Sequence, residues 1–387
     1  MRRTASLALS LLASLLVSAP ASAAGEGGRP DQVYVKSKRD GSVAMVTGVV
    51  QRFELGKVTV AVGSKENNYD ALQIQSVEWG DVPPSFREGH VYAARGAWAD
   101  AAKSFRVAAG DASARDVVKA AAKRQLAEAL LKSGSEDAAR FTEAATEAQG
   151  YLASFAQNVD VPAVRMLHAR ALWLSGKPAE AGAAFRGVHG EFKADATTAG
   201  YDPLVCLQAG VFAARALLDA KDTLGAREVY AALEGQVGPL LAAAGDNPQK
   251  PALQAIADEA ALGQGFVDLA GGQAKQALGF FQSRVGALKP DSTPSARFAA
   301  QLGLGEALLA ENKPREASLM LSKVVGLDCG DRDRALRATV KLAEACSKLP
   351  DADARAQACA RIKDVLKNGG DSPASVRARQ LAKELGC

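Results

Sequence analysis

The chain has 387 residues, and its 47 basic and 43 acidic side chains give a formal net charge of +4. Nucleic-acid binding normally needs a strongly basic face, so this near balance argues against a nucleic-acid partner. Hydrophobic residues make up 48% of the chain but aromatic residues only 5%, which indicates a large core packed by small side chains. No apolar run reaches the ~18 residues that a membrane helix needs, so no membrane span is expected.

The N-terminus has the features of an export signal. Arg2 and Arg3 precede the apolar run 7–17, and a small-x-small cleavage sequence follows. We predict a signal peptide over residues 1–23 and a linker over residues 24–30. The mature protein is then expected to be soluble in the periplasm or cell envelope, the alternative being an uncleaved N-terminal anchor.

Residues 31–82 differ from the rest of the chain because β-branched residues and short turns replace Ala-rich stretches. The pair Asp40-Gly41 favours a tight hairpin turn, and the valines of 58–62 alternate so that they face one side of a strand. We predict a small all-β module, either a sheet or a barrel. It either caps the exposed end of the following domain or also grips a peptide along a strand edge.

From residue 83 to residue 387, Ala- and Leu-rich helical stretches alternate with short turns. The segments 175–181 and 311–317 contain one shared turn. In each, a Gly or Asn able to take the left-handed conformation ends one helix, and a Pro two residues later suits the first turn of the next. These turns predict pairs of antiparallel helices.

Four-residue sets of small and large side chains recur around these turns. Their spacing places a small and a large residue on the facing side of each helix in a pair. The sets are Gly89, Tyr92, Ala101, Phe105; Ala169, Leu172, Ala181, Phe185; Ala214, Leu217, Ala226, Tyr230; Gly305, Leu308, Ala317, Leu321; and, in part, Gly265, Asp268, Ala277, Phe281.

This order of small and large positions resembles the tetratricopeptide repeat (TPR) family. The resemblance implies a mainly α fold, an α-solenoid of about seven TPR-like hairpins over residues 83–387, which binds other proteins along a concave groove. The hairpins start 38 to 51 residues apart, more than the usual ~34, so lengthened helices or loops are expected, particularly over 237–251. The alternative is an unrelated Ala-rich helical bundle.

No motif for catalysis, metal or cofactor binding is found. The three histidines, His90, His168 and His189, share no metal-ligand spacing, and single helical histidines are usually structural. Gly303 and Gly305 lack the third glycine and the preceding strand of a phosphate-binding loop. We therefore predict a protein that is not an enzyme, with no cofactor, metal or catalytic residue.

The cysteines are concentrated near the C-terminus. Cys206 lies in an apolar segment and is expected to be a buried thiol, whereas Cys329, Cys346, Cys359 and Cys387 are disulfide candidates in an exported protein. Pairing of Cys346 with Cys359 is the first choice because they lie on the two helices of one predicted hairpin. Four cysteines allow three connectivities, and Cys387 could also pair between chains.

By the TPR resemblance, the first helix of each hairpin lines the groove. The candidate partner-binding residues are Arg124, Glu128, Lys132, Arg170, Trp173, Arg215 and Asp219. Their charges suit an acidic or extended peptide; alternatively they form solvated faces, with Trp173 filling a gap between repeats. We predict an adaptor or scaffold for an unidentified protein partner. The alternative is an envelope-structural component that self-associates or engages cell-wall polymer through the β module.

Overall fold

The computed structural model describes residues 28–39, 41–195, 198–351 and 353–387. The predicted signal peptide and the first four residues of the predicted linker lie outside the described residues. Within the described part, no helix has the length and apolar character needed to cross a membrane.

The N-terminal part forms a five-stranded antiparallel sheet. Its strands are β1 (Asp31–Lys36), β2 (Val43–Glu54), β3 (Lys57–Val62), β4 (Lys65–Tyr69) and β5 (Ile74–Glu78). They lie in the order β4-β3-β2-β1-β5, so β4 and β5 are the two edges. The alternating valines of β1 and β3 point to one side, where Val33, Val58 and Val60 are buried together.

Sixteen helices are found in the described residues. They are α1 (Pro84–Ala94), α2 (Trp98–Gly110), α3 (Asp116–Ser133), α4 (Ala139–Ser154), α5 (Val161–Leu174), α6 (Pro178–His189), α7 (Pro203–Asp219), α8 (Thr223–Ala243), α9 (Lys250–Ala260), α10 (Gly263–Ala270), α11 (Ala274–Gly286), α12 (Pro294–Ala310), α13 (Pro314–Leu327), α14 (Arg332–Ser347), α15 (Ala354–Asn368) and α16 (Ala374–Leu385).

Most of these helices pair into hairpins. The pairs in the described chain are α1/α2, α3/α4, α5/α6, α7/α8, α10/α11, α12/α13 and α14/α15, with α9 inserted and α16 following the last pair. Five hairpin turns contain a residue in the left-handed conformation: Gly96, Gly176, Lys221, Gly272 and Asn312. The long predicted repeat over 237–251 is accommodated by the 21-residue α8 and the additional α9.

The small and large residues of the repeat pattern meet inside the hairpins. A Cβ atom added to Gly89 would lie 2.7 Å from the ring of Phe105, and one added to Gly305 would lie 2.6 Å from Leu321. Each glycine therefore lets the second helix approach its partner closely. These contacts, repeated along one continuous core from Phe86 to Leu381, confirm the predicted α-solenoid with a small β module in front.

The sheet is fixed to the helices through a buried carboxylate. Asp31 accepts hydrogen bonds from the backbone N–H groups of Val50 and Gly80, both at 2.8 Å, and from the guanidinium of Arg115 at 2.6 and 3.0 Å. Trp79 packs against both the sheet core and the helical core. Because one charge holds two strands and α3 together, the sheet is part of the packed helical structure.

Candidate partner-binding surface

The predicted groove residues on α3 remain partly accessible. The side chains of Arg124 and Lys132 are 35% and 38% exposed, and they lie 3.5 Å from Asp160 and 2.6 Å from Asp371 respectively. Glu128 is half-buried between them. Burial raises the pKa of Asp160, and the charge of Arg124 opposes that rise. This side of α3 is therefore a charged surface with solvent access.

On α5 the predicted residues are held by distant parts of the chain. Arg170 lies 3.3 Å from a carboxylate oxygen of Asp333, and its Nε donates to the backbone oxygen of Asp371 at 3.1 Å. Trp173 is buried, and its indole N–H donates to Asp219 at 2.9 Å. The alternative interpretation of Trp173, as a residue that fills the space between repeats, agrees with this position.

On α7 the two predicted residues differ in exposure. The Arg215 side chain is only 13% exposed; it binds both oxygens of Glu259 on α9 and lies 3.2 Å from Asp331. Asp219 is exposed at the end of α7, and desolvation by its neighbours on α5, α12 and α14 raises its pKa. The expectation that Arg215 faces an open groove is wrong, because α9 and the segment before α14 cover it. The placement of Asp219 in the groove stays a prediction.

Two further charged pairs complete this interior. Arg337 on α14 makes a two-point contact with Glu306 on α12, at 2.6 and 2.7 Å, and Arg334 is buried against Asp328, with Nε and Oδ2 2.5 Å apart. Asp331 also accepts from the backbone N–H of Arg334 at 2.9 Å, as expected of a helix-capping acid. No local sequence pattern shows that the same carboxylate also contacts Arg215 on α7.

The last helices return to α3 and α4. Lys132 meets Asp371 in the segment before α16, and a Cβ atom added to Gly370 would lie 2.2 Å from that of Ser135. Arg379 on α16 places its guanidinium 5.3 Å from the ring centre of Phe141 on α4. These contacts join residues more than two hundred positions apart, so the last helices lie directly against the ends of α3 and α4 that carry Lys132 and Phe141.

A separate cleft lies where the sheet meets the first helix. It encloses about 380 Å³ between the end of β5, the segment before β1 and α1. Its walls are formed by Arg29, Pro30, Gln32, Val77, Glu78, Trp79, Gly80, Val82, Phe86, Arg87 and His90. This cleft could not be predicted from the sequence, because its residues come from three segments without a shared motif.

Comparisons with known proteins give fold-level similarity. No family model matches the chain, and no curated protein matches it. Among solved structures it is similar to a tetratricopeptide repeat protein from Parabacteroides merdae, with 13% identity, a TM-score of 0.46 and coverage of 78% of this chain and 95% of that one. It is also similar to the TPR domain of P58(IPK), with 19% identity, a TM-score of 0.27 and coverage of 78% of each chain.

The helical part of the chain has a TPR-like fold. That assignment rests on the hairpins and their small–large contacts, because TM-scores below 0.5 do not by themselves establish a shared fold. The resemblance predicted from the spacing of Gly89, Tyr92, Ala101 and Phe105 is confirmed at the level of the fold.

The disulfide of the TPR-like domain differs from the predicted pairing of Cys346 with Cys359. Cys359 is bonded to Cys387, with their Cα atoms 5.5 Å apart, while Cys346 is a buried thiol and Cys329 an exposed one. The left-handed Gly386 ends α16 and turns the last residue back towards α15. The predicted bond between Cys346 and Cys359 is therefore wrong, because Cys359 is bonded to Cys387 and the Cys346 side chain is buried in the helical core.

Cys206 is a buried free thiol, as predicted, and burial raises its pKa to about 11.

The three histidines of the TPR-like domain lie apart from one another. His189 is buried, with its Nδ1 3.1 Å from the backbone oxygen of Cys206, and burial lowers its pKa. His90 packs against the rings of Phe86 and Phe105. Within the residues that the structure describes, no group of three His, Cys, Asp or Glu side chains is arranged to hold a metal ion.

Proposed function

We propose that the chain is an exported, non-enzymatic scaffold that binds a protein or peptide partner through its TPR-like domain. The observation that carries the proposal is the charged concave side of α3, where Arg124, Glu128 and Lys132 keep solvent access. Interfaces between proteins use such long charged side chains for orientation and specificity. The partner-binding surface is thus assigned to the N-terminal hairpins and excludes the buried face of α7.

The α3 side chains have hydrogen-bonding capacity left for a partner. Arg124 contacts Asp160 at 3.5 Å, which leaves most of its five N–H donors free in the described structure. Glu128 has no hydrogen bond within the described residues, and it acts on its surroundings through charge, raising the pKa of Asp160. A partner segment that presents both signs of charge would complete these contacts.

Export is supported by the N-terminal sequence and by the cysteine chemistry. Disulfides persist in oxidising compartments, and the bond between Cys359 and Cys387 suits such a location. We assign residues 1–23 to the signal peptide, 24–30 to a linker, 31–82 to the β module and 83–387 to the TPR-like domain. In this assignment the β module caps the first hairpin of the helical array.

The test is affinity capture from envelope extract with the full chain as bait. The bait variant replaces the α3 charges, Arg124→Ala, Glu128→Ala and Lys132→Ala together. The matched control replaces exposed charges on α8 and α11, Arg227→Ala, Glu228→Ala and Lys275→Ala. We expect one partner to be retained by the wild type and the control and lost by the α3 variant, with unchanged circular dichroism. Equal retention by all three baits would contradict the assignment.

A second candidate function is supported by the outer face of the sheet. Val43, Met45 and Val49 project from one side of β2 and are exposed. An envelope-structural component that self-associates or binds cell-wall polymer would use this face. Sedimentation equilibrium measures self-association, and co-sedimentation with insoluble cell-wall polymer measures polymer binding. If this face is responsible, Met45→Lys would abolish self-association or polymer binding. The same substitution would leave partner capture by the α3 surface unchanged.

A further inference from the structure

We infer that the cleft between β5 and α1 binds an extended peptide segment that carries a carboxylate. This inference deepens the proposed scaffold function by giving the chemistry of a partner segment, and it rests on that function only in taking the partner to be a protein. The surface involved is separate from the charged side of α3, so the two assignments can fail independently.

The cleft contains hydrogen-bond donors that have no acceptor among the described residues. The side chains of Arg29 and Arg87 line it, are exposed, and make no hydrogen bond or ion pair with the described residues. A guanidinium presents paired N–H donors that match the two oxygens of a carboxylate. Two unpaired guanidinium groups in one cleft therefore favour an anionic ligand group.

The acidic side chains at the cleft, Glu78 in its lining and Asp81 beside it, already accept hydrogen bonds. Glu78 accepts a hydrogen bond from the hydroxyl of Tyr34 at 3.2 Å, and Asp81 accepts from the backbone N–H of Arg29 at 2.8 Å. Neither acid pairs with a guanidinium that lines the cleft. The donors of Arg29 and Arg87 thus remain available to a ligand.

The backbone of β5 offers a second set of hydrogen-bonding groups beside the cleft. This strand is an edge of the sheet, and only its β1 side is paired within the described structure. An unpaired strand edge presents N–H and C=O groups that an extended peptide can match by adding as a further strand. Val77 and Glu78 of β5 line the cleft, so an added strand would pass beside the two arginines.

Two aromatic side chains, Trp79 and Phe86, form an apolar floor of the cleft. Trp79 is held by an edge-to-face contact with Phe53 at 5.4 Å, and Phe86 by one with Phe105 at 5.8 Å. The first pair belongs to the sheet and the second to the first helical hairpin. Because both walls are held in place before binding, the free-energy cost of ordering the site when a peptide binds is small. The ligand class is thus an extended segment with an apolar side chain next to an acidic one.

The experiment uses the full chain and a defined probe. The probe is a fluorescein-labelled acetyl hexapeptide of alternating Val and Glu, and its partner control is the same peptide with Lys in place of Glu. We expect saturable binding of the acidic peptide in fluorescence anisotropy and binding of the Lys peptide that is weaker by about tenfold or more. Arg29→Ala with Arg87→Ala should weaken acidic-peptide binding by about tenfold or more, whereas Arg186→Ala with Arg227→Ala should leave it unchanged.

Three results would overturn the inference. The first is no saturable binding of the acidic peptide, and the second is equal weakening by the control pair of arginine substitutions. The third is a dimer of the wild type that Arg29→Ala with Arg87→Ala dissociates, which would give the cleft to a second copy of the chain. If the peptide fails to bind but envelope capture still depends on α3, the scaffold function stands and only the cleft assignment is lost.

Discussion

The concave sides of α3 and α7 make an instructive comparison, because both belong to first helices of hairpins and both present charged residues. Arg124 and Lys132 on α3 keep more than a third of their side-chain surface open to solvent, while Arg215 on α7 keeps little. The sequence pattern of the two helices is alike. Their difference arises from which later helices return to cover them.

This difference changes what the same kind of ion pair does. A solvent-exposed pair contributes roughly 0–1 kcal/mol, because water screens its charges and its side chains lose freedom. Removing one member of a buried pair costs about 3–5 kcal/mol, because the other charge stays buried without a partner. The charge of Arg215 on α7 is therefore structural, whereas that of Arg124 on α3 is available for recognition.

The largest expected effect is that of Arg215→Ala. This substitution leaves the buried carboxylate of Glu259 without its guanidinium partner, and we expect a loss of about 3–5 kcal/mol in the free energy of unfolding. Urea denaturation followed by circular dichroism measures it. The control is Arg124→Ala on α3, for which we expect roughly 1 kcal/mol or less. Equal losses for the two variants would show that the two faces do not differ.

A second comparison uses glycines in the same two hairpins. A Cβ atom added to Gly210 on α7 would lie 2.8 Å from both His189 and Leu233, whereas one added to Gly150 on α4 would meet no atom within 4 Å. We expect Gly210→Ala to destabilise by about 1–3 kcal/mol through overpacking. Gly150→Ala should stabilise by roughly 1 kcal/mol, since alanine favours a helix. Thermal unfolding of both variants tests this, and a stable Gly210→Ala protein would contradict the tight packing.

The contact that returns α16 to α3 should be sensitive to acid. Burial would raise the pKa of Asp371, but the hydrogen bonds and charges of Lys132 and Arg332 outweigh it and lower the pKa to about 2. A carboxylate with a lowered pKa stabilises the fold above its unfolded pKa, and this stability is lost as the pH falls towards 2.

We therefore expect Asp371→Asn to lose stability at neutral pH, on the order of 1 kcal/mol after screening of its exposed partners. The melting curves of this variant and the wild type should converge between about pH 4 and pH 2. A difference that stays constant over this range would show that Asp371 contributes by packing alone.

The smallest expected effects are at the hairpin turns. Lys221, after α7, has a φ of 65°, in the left-handed region that non-glycine side chains rarely adopt, while Gly176 occupies the equivalent turn after α5. Lys221→Gly should stabilise the protein by about 1 kcal/mol or less, and Gly176→Ala should destabilise it by a similar amount. Melting temperatures of the two variants give the test, and shifts of the same sign would contradict it.

Much of the fold could be predicted because its determinants are local. The turn at Gly176 and the pairing of Gly89 with Phe105 each lie within one hairpin, so their spacing along the chain carries the information. The contacts between α7 and the start of α14, and between Lys132 and Asp371, join segments separated by many repeats. Whether these distant segments meet depends on the small rotation from each hairpin to the next, and this rotation cannot be predicted from the spacing of residues along the chain.

The candidate sites also depend on contacts between distant parts of the chain. The helix positions of Arg124 and Lys132 predict that they line the groove, but their solvent access depends on the path of the later helices. The cleft beside Trp79 combines residues from the segment before β1, the end of β5 and α1. Cys387 reached Cys359 through the left-handed turn at Gly386, which no hairpin rule includes.

The contact between Lys132 and Asp371, together with the close approach of Ser135 and Gly370, has a consequence for the history of the chain. An open array of repeats can gain or lose a unit at its end, since each unit touches only its neighbours. Here a duplicated or deleted hairpin between α4 and α16 would carry Asp371 away from Lys132. Such an array is fixed in length, and new specificity must come from substitutions on its existing surfaces.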